Sequence, residues 1–280
     1  MKRFLKWWMT FLRHHRPAMV GALLLGLVLL VAIVAPWFAV DPSEVVAKGQ
    51  SEPSAERWLG TDPLGYDLWA RMVAGARATL YISLAATMLS LALVTLLGAV
   101  AGYFGRWVDM LIMRFVDFMM SFPSFLLAMV TVALLGQGLE KLIVAVGVVG
   151  APLIARQVRA EVLRVREIEF TAAARALGFG KWRVLFRHVM PNAIGPIIVL
   201  GTLGMGSAIL DVAGLNFLGL GGDPYAQSEW GLLLQQGWNE GSRGTLQVTV
   251  AGIALLITVL GLNLLGDGLK DELDPRTRRR

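Results

Sequence analysis

The chain of 280 residues carries a formal charge of +6, is 56% hydrophobic and only 16% charged, and has a mean hydropathy of +0.62. Soluble domains are about 25% charged, and a soluble domain of this size could not bury so much apolar surface. The absence of Cys excludes disulfides, zinc–thiolate sites and a Cys nucleophile, and three His are too few for a His-rich metal site. The composition predicts an all-α polytopic membrane protein.

Six apolar stretches are candidates for membrane-spanning helices, since about 20 helical residues cross a bilayer. Five contain no Asp, Glu, Lys or Arg: residues 17–40, 78–105, 118–139, 189–210 and 244–266. A sixth, 142–155, has only 14 residues, but Lys141 and Arg156 at its flanks can snorkel and extend the span. We therefore predict six transmembrane helices.

Residues 1–40 combine basic residues, aromatic residues and the first span. The run FLKWWMTFL at 4–12 predicts a short interfacial helix, with a frayed basic tail as the alternative. The apolar run that follows is too long for a signal peptide and has no clean cleavage site. We interpret it as an uncleaved membrane anchor.

The basic residues are distributed asymmetrically between alternate loops. With the N-terminus inside, inside segments hold 20 of the 26 Lys and Arg residues and outside segments hold six. The positive-inside rule then places both termini, a basic loop at 156–188 and a tail at 269–280 in the cytoplasm. Loops 41–77 and 216–243 would lie outside, and residues 78–268 would form the core. No basic face is interleaved with aromatics, so we expect the lipid bilayer and not nucleic acid as a partner.

The sequence contains no complete nucleotide-binding or catalytic motif. The fragment at 178–181 resembles part of a phosphate-binding loop but lacks its glycine spacing, and no catalytic carboxylate pair or hydrolase motif occurs. We predict no enzymatic activity, no cofactor and no metal site in this chain. The spacing of Gly98 and Gly102 would let two helices approach closely, although such spacing is common in membrane bundles.

Two residues are candidates for a transport pathway or an outer gate. Asp211 follows 22 charge-free residues and ends the fifth predicted span, where it lies either at the outer interface or, as a charge within the membrane, on a pathway. Trp230 belongs to the glycine-rich outside loop. It either contacts a partner or gate, or anchors the chain at the membrane interface.

The basic loop contains a short helix with small side chains. The run Thr171–Leu177 is rich in Ala and favours helix, and Gly178 is a natural helix stop. Small residues on an exposed helix indicate a closely packed partner. The alternative, a solvated connector helix, should show more Glu and Lys on that face.

This loop resembles the E-A-A-x-x-x-G-x9-I-x-L-P motif of binding-protein-dependent ABC importer permeases. Ala172 occupies the position of the motif glutamate, Gly178 that of the glycine, and Pro191 that of the proline. The resemblance implies a coupling helix that docks on an ATPase. The residues that it assigns to this coupling role are Glu169, Ala172, Ala173, Ala174, Arg175, Leu177, Gly178, Lys181 and Pro191.

Segments elsewhere resemble the dipeptide/oligopeptide/nickel branch of that family, and within it the second, C-type subunit. They are LGTDPLGYDLWARMVAGAR, SFPSFLLA, AGLNFLGLGG with the SEWG that follows it at 228–231, and LGDGLKDELDPR. The resemblance implies a type I ABC importer permease (MetI-like) fold with six helices and a cytoplasmic coupling helix. It also implies partners of three kinds: a homologous second permease subunit, two ATPase subunits that bind ATP and Mg, and an extracytoplasmic solute-binding protein.

The predicted function is ATP-driven uptake of dipeptides or oligopeptides. Uptake of nickel or a metal chelate by the same fold is an alternative, although the spans lack His and Cys ligands. From other classes, an ion-coupled secondary transporter would require buried carboxylates, of which Asp211 is the one candidate. A membrane-embedded enzyme or assembly factor is a further alternative, which is disfavoured because this sequence contains no catalytic residues.

Overall fold

The computed structural model describes residue 11, residues 15–223 and residues 227–273. Over these residues the regular secondary structure is helical, apart from two isolated β-bridges that join Val45 to Tyr66 and Thr61 to Asp67 within a long loop at 38–67. The predicted interfacial helix at 4–12 lies outside this part of the chain except for Phe11, and so does the tail beyond 273.

Two helices and a long loop begin the described chain. Helix α1 (Arg16–Val34) is followed by a 3-10 turn at Ala35–Trp37, and α2 (Leu68–Phe104) follows the loop. Helix α2 begins ten residues before the charge-free stretch at 78–105, because Asp67 caps it by accepting a hydrogen bond from the backbone N–H of Ala70 at 2.8 Å. Its 37 residues extend about 55 Å, more than a bilayer core requires.

The third predicted span, 118–139, is not one straight helix. Helix α3 (Arg106–Met120) and helix α4 (Ser124–Leu135) meet at an angle of 90°. Pro123 lies at the break, where it lacks a backbone N–H and disfavours helical geometry in the residue before it. Sequence hydropathy alone did not reveal the bend, because apolar residues continue through it.

Helix α5 (Leu139–Arg166) confirms the short fourth span. The charges at one of its ends are paired within the protein: Arg156 bonds Asp117, and Arg159 bonds Asp109 at 2.5 Å. These pairs let the helix continue well beyond the 14 apolar residues. Helix α5 packs most extensively on α2, where a Cβ at Gly98 or Gly102 would come within 2.8 Å of a backbone oxygen of α5.

The remaining helices complete the bundle. Helices α6 (Glu169–Ala176) and α7 (Lys181–Val184) precede a π-helical turn at Leu185–Val189, which continues into α8 (Met190–Phe217). Helix α9 (Trp230–Asn239) and a 3-10 turn at Gly241–Gly244 then lead to α10 (Thr245–Leu273). Helix α10 packs against α1, α8 and α9.

Within the described residues, five helical segments are long and apolar enough to cross a membrane, or six if the bent α3–α4 pair is one span. Many large apolar side chains on these helices are exposed, including Leu23 at 66% and Leu134 at 82%. In water such a surface would be unfavourable, whereas lipid matches it. The predicted all-α membrane fold is thus confirmed. We call the end of the bundle that carries α6 the α6 end, and the opposite end, which carries α9, the α9 end.

Candidate functional site

Helix α6 is attached to the bundle by one face. Thr171 is fully buried and donates a hydrogen bond to the carbonyl of Val165 at 3.1 Å, and Ala174 is only 4% exposed. Helix α6 ends at Ala176, and Gly178 follows with φ +79°. The predicted helix and its glycine stop are therefore confirmed, since a positive φ favours glycine.

The opposite face of α6 is open. Ala172, Ala173 and Ala176 are exposed, and Leu177 beside them is 74% exposed. The face is thus small and apolar, and charged residues border it: Glu169, Arg175 and Lys181 are exposed. Within the predicted coupling set, Ala174 differs from its neighbours because its side chain packs on its own bundle and is 4% exposed.

A basic cleft of about 390 Å³ adjoins α6 at the same end of the bundle. Its lining residues are Tyr103, Phe104, Arg166, Arg175, Phe179 and Lys181. Arg175 donates to the carbonyl of Arg166 at 3.2 Å, and the guanidinium of Arg183 lies 4.5 Å from the ring centroid of Phe179. The motif proline, Pro191, is exposed in the first turn of α8. The α6 end therefore presents an apolar face within a basic surface.

A second candidate site is a cavity of about 420 Å³ within the membrane-spanning part of the bundle. Residues of α2, α4, α5 and α8 line it, and most of them are apolar. The polar side chains on its wall are Thr87, Ser90, Ser124, Ser207 and Asp211. We call it the membrane cavity.

Asp211 lies in this cavity and does not end its helix. Helix α8 continues to Phe217, so Asp211 is six residues, or about 9 Å along the axis, from the helix end. This position differs from the expectation that Asp211 ends the fifth span. Its side chain is half-buried and makes no hydrogen bond or ion pair with another residue in the described ranges.

A buried carboxylate organises the α9 end. Glu229 is fully buried, and its Oε2 accepts from Asn216 Nδ2 at 2.5 Å and from the backbone N–H groups of Gly231 and Leu232 at 2.7 and 3.2 Å. Its Oε1 accepts from the Thr79 hydroxyl at 2.7 Å. Burial raises the pKa of Glu229, and these hydrogen bonds only partly oppose that rise. Glu229 thereby ties the first turn of α9 to both α2 and α8.

Trp230 is buried beside this carboxylate, with 3% of its surface exposed. Its indole N–H donates to the carbonyl of Met72 at 3.0 Å, and its ring lies over Gly75 of α2. The structure thus corrects both expectations of an exposed Trp230: the ring neither reaches a partner at the surface nor anchors at a lipid interface. It packs α9 against α2.

A second polar network at the same end joins the long first loop to α9. Arg71 and Asp62 form an ion pair at 2.6 Å, with side-chain exposures of 1% and 0%. Arg71 also donates to Gln236 of α9 at 2.7 Å, while Asp62 accepts from the backbone N–H groups of Leu64 and Tyr66 at 3.0 Å. A buried pair with these additional partners fixes the loop on the bundle.

Neither buried network was predicted from the sequence. Glu229, Asp62 and Arg71 all lie in or beside the segments that carried the family resemblance, and that was the available signal. Charged residues in loops normally face water, so composition gave no reason to expect them in the interior.

Metal-binding side chains do not gather at any of these places. Among the residues that the structure describes, no cluster of three or more His, Asp and Glu side chains has an arrangement that could hold a metal ion.

Comparisons with known proteins agree with this architecture. Residues 94–279 match the family described as "Binding-protein-dependent transport system inner membrane component", and residues 6–54 match the "N-terminal TM domain of oligopeptide transport permease C". In the inward-facing MetNI methionine ABC transporter, one chain superposes with a TM-score of 0.58 at 22% identity, over 70% of this chain and 93% of that one. This likeness shows the MetI-like fold.

Curated relatives match along almost the whole chain. The dipeptide transport system permease protein DppC of Alkalihalophilus pseudofirmus is 41% identical over 95% of this chain and 88% of its own. The di/tripeptide permease protein DppC of Pseudomonas aeruginosa is 40% identical, over 98% and 92%. The glutathione permease protein GsiD of Pectobacterium atrosepticum is 34% identical, over 98% and 91%. The chain therefore belongs to the family of binding-protein-dependent ABC importer permeases, as a C-type subunit.

Proposed function

We propose that this protein is the C-type permease subunit of an importer that takes up dipeptides and short oligopeptides at the expense of ATP. The observation that carries the substrate class is the identity of 40–41% to dipeptide and di/tripeptide permease proteins over nearly the full length of both chains. Glutathione permease proteins are less similar at 34–37%. Glutathione or a similar tripeptide is therefore the second candidate substrate.

The proposal assigns ATP hydrolysis to separate subunits. This chain has no phosphate-binding loop, so ATP and Mg would bind to two ATPase subunits at the α6 end. The support is the open face of Ala172, Ala173 and Ala176, where small side chains permit close approach. Leu177 offers apolar area, and Arg175 and Lys181 can pair with carboxylates at the rim of a contact.

The proposal also orients the protein in the plasma (inner) membrane. The basic residues around α6 favour a cytoplasmic position for that end, together with both termini. The α9 end would then face outward, toward a solute-binding protein. A homologous second permease subunit would complete the pathway, and the membrane cavity would lie on it. Nickel or chelate uptake by the same fold remains the alternative, whereas membership of the ABC permease family excludes the ion-coupled transporter considered from the sequence.

Uptake by cells tests the substrate class. We expect deletion of the gene to abolish uptake of radiolabelled Ala-Ala in a host without other peptide importers, and expression of the gene to restore it, while uptake of free alanine stays unchanged. Nickel-63 uptake serves as the second arm. Unchanged Ala-Ala uptake with loss of nickel uptake would contradict the peptide assignment and favour the metal alternative.

A further inference from the structure

The membrane cavity contains a carboxylate for which the described chain supplies no counter-charge. Three other carboxylates of this fold have Arg partners: Asp109 pairs with Arg159, Asp117 with Arg156, and the buried Asp62 with Arg71. Asp211 has no such partner among the described residues, and none of the residues that line the cavity is basic. A half-buried carboxylate without a partner is unfavourable, which suggests a cation from outside the chain.

The same wall holds a second unsatisfied group. Ser90 is 4% exposed, and its hydroxyl has no hydrogen-bond partner in the described structure. Thr87, also on the wall, donates its proton to the carbonyl of Ser83 at 2.7 Å and so keeps its oxygen free to accept. A carboxylate and two hydroxyl oxygens are acceptors, and a primary ammonium group has three protons to donate.

We propose that Asp211, with Ser90 and Thr87, binds the N-terminal ammonium group of the peptide as it passes through the membrane cavity. This inference rests on the proposed peptide-uptake function. Most of the remaining wall is apolar and carries no charge, and part of it is small, including Ala86, Ala128 and Gly204, so it can accept varied side chains without selecting among them. The site thus recognises the N-terminal ammonium group that these peptides share, and the cavity accommodates side chains that differ between them.

The absence of Cys from the chain allows a direct test. Ser207 lines the cavity and is exposed, so Ser207→Cys places one thiol there with almost no change in volume. In the complete importer, purified without its binding protein, a thiol reagent should label this thiol, and Ala-Ala should slow the labelling. N-acetyl-Ala-Ala, which lacks the ammonium group, should protect about tenfold less well or worse, a factor equivalent to ~1.4 kcal/mol.

Adding Asp211→Asn should remove the preference for Ala-Ala over its acetylated form, and Asp211→Glu should retain most of it. Glu44→Gln, which changes an exposed carboxylate of the first loop, is the matched control and should change nothing. Repeating the labelling in sodium and in choline chloride separates a peptide ammonium from an inorganic cation. Protection by sodium that depends on Asp211, with none by Ala-Ala, would overturn the proposal.

The outcomes for this inference and for the proposed function are distinct. If cells import Ala-Ala but both peptides protect the introduced thiol equally with Asp211 intact, the ammonium site is wrong and the function stands. If cells do not import Ala-Ala at all, the function itself fails. A preference for Ala-Ala that is unchanged by Asp211→Asn likewise overturns the role given to Asp211.

Discussion

At the scale of single residues, Glu229 joins three helices through one carboxylate at the α9 end. Three donors converge on Oε2 and one on Oε1, and they come from α2, α8 and α9. A carboxylate is suited to this place because it accepts through two oxygens at once. The consequence is a rigid attachment of α9, which also keeps Trp230 in place.

Replacing Glu229 should therefore reveal how much this attachment contributes to stability. Glu229→Ala would leave Asn216 and two backbone N–H groups unsatisfied in the interior, and we expect a loss of at least about 2 kcal/mol in unfolding free energy. Glu229→Gln keeps an acceptor for these donors and an amide that can donate to Thr79, so its loss should be much smaller. Thermal unfolding in detergent would measure both, and equal losses would contradict this account.

The pKa of Glu229 predicts a pH dependence. Burial raises its pKa in the folded state, so the folded protein holds the proton more tightly than the unfolded chain does. This contribution to stability is fully present below the ordinary carboxyl pKa of 4.5 and is lost as the pH rises through the folded-state pKa. The stability of the wild type relative to Glu229→Gln, which cannot titrate, should fall over that window. A difference that stays constant with pH would refute the assignment.

At the scale of helices, α6 divides its residues between its own bundle and an open face. Thr171 and Ala174 are buried, whereas Ala172 and Ala173 are exposed. The alanine run in the sequence looks uniform, and the structure separates it into two roles. Substitutions on the buried face should therefore destabilise the packing of α6 on the bundle, whereas substitutions on the open face should affect the binding of a partner.

We expect Ala173→Leu to weaken the binding of ATPase subunits about tenfold or more, because added volume in a packed contact costs about 1–3 kcal/mol. The variant should insert normally, since Ala173 is exposed and lies outside the interior. Co-purification of the ATPase subunits with the permease measures the effect. Ala55→Leu, in an exposed loop of the α9 end, is the matched control. Full recruitment by Ala173→Leu would mean that α6 is a solvated connector.

The contact between α2 and α5 depends on glycine. A Cβ at Gly98 would lie 2.8 Å from the Ala155 carbonyl oxygen and 2.9 Å from Val158 Cβ, so the backbones would have to separate. Gly98→Ala should lower the unfolding free energy by about 1–3 kcal/mol. Gly26→Ala in α1 is the control, because a Cβ there meets nothing within 4 Å. Thermal unfolding that ranks the two variants equally would contradict the close-packing argument.

At the scale of the whole molecule, the distribution of charge defines an orientation that fusions can test. Alkaline phosphatase is active only outside the cytoplasm, so fusions after Gly49 and Gly241 should be active and a fusion after Lys181 inactive. The reason is the excess of Lys and Arg around α6. High activity of the Lys181 fusion would reverse the proposed topology and remove α6 from reach of cytoplasmic ATPases.

Hydropathy and contiguous motifs were enough to predict a membrane-spanning chain, the location of its apolar stretches and its family. Long charge-free stretches require a bilayer whatever their tertiary contacts, and α6 with its glycine stop follows from local propensity and a positive φ. The family motifs could be recognised in the sequence because each is a contiguous run of residues. The helix at residues 142–155 was predictable although its apolar run was short, because Lys141 and Arg156 at its flanks allow a longer span.

Tertiary structure alone decided which polar groups are buried and what they meet. Glu229 joins Thr79 across 150 positions of the chain and Arg71 joins Gln236 across 165, and no local pattern encodes such pairs. The bend at Pro123 and the cavity position of Asp211 were also decided by tertiary structure. Hydropathy measures the average polarity of a segment and does not show how a helix is oriented or which way a side chain points. Burial of a side chain depends on residues that are distant in sequence, so the two faces of α6 and the interior place of Trp230 became visible only in the folded chain.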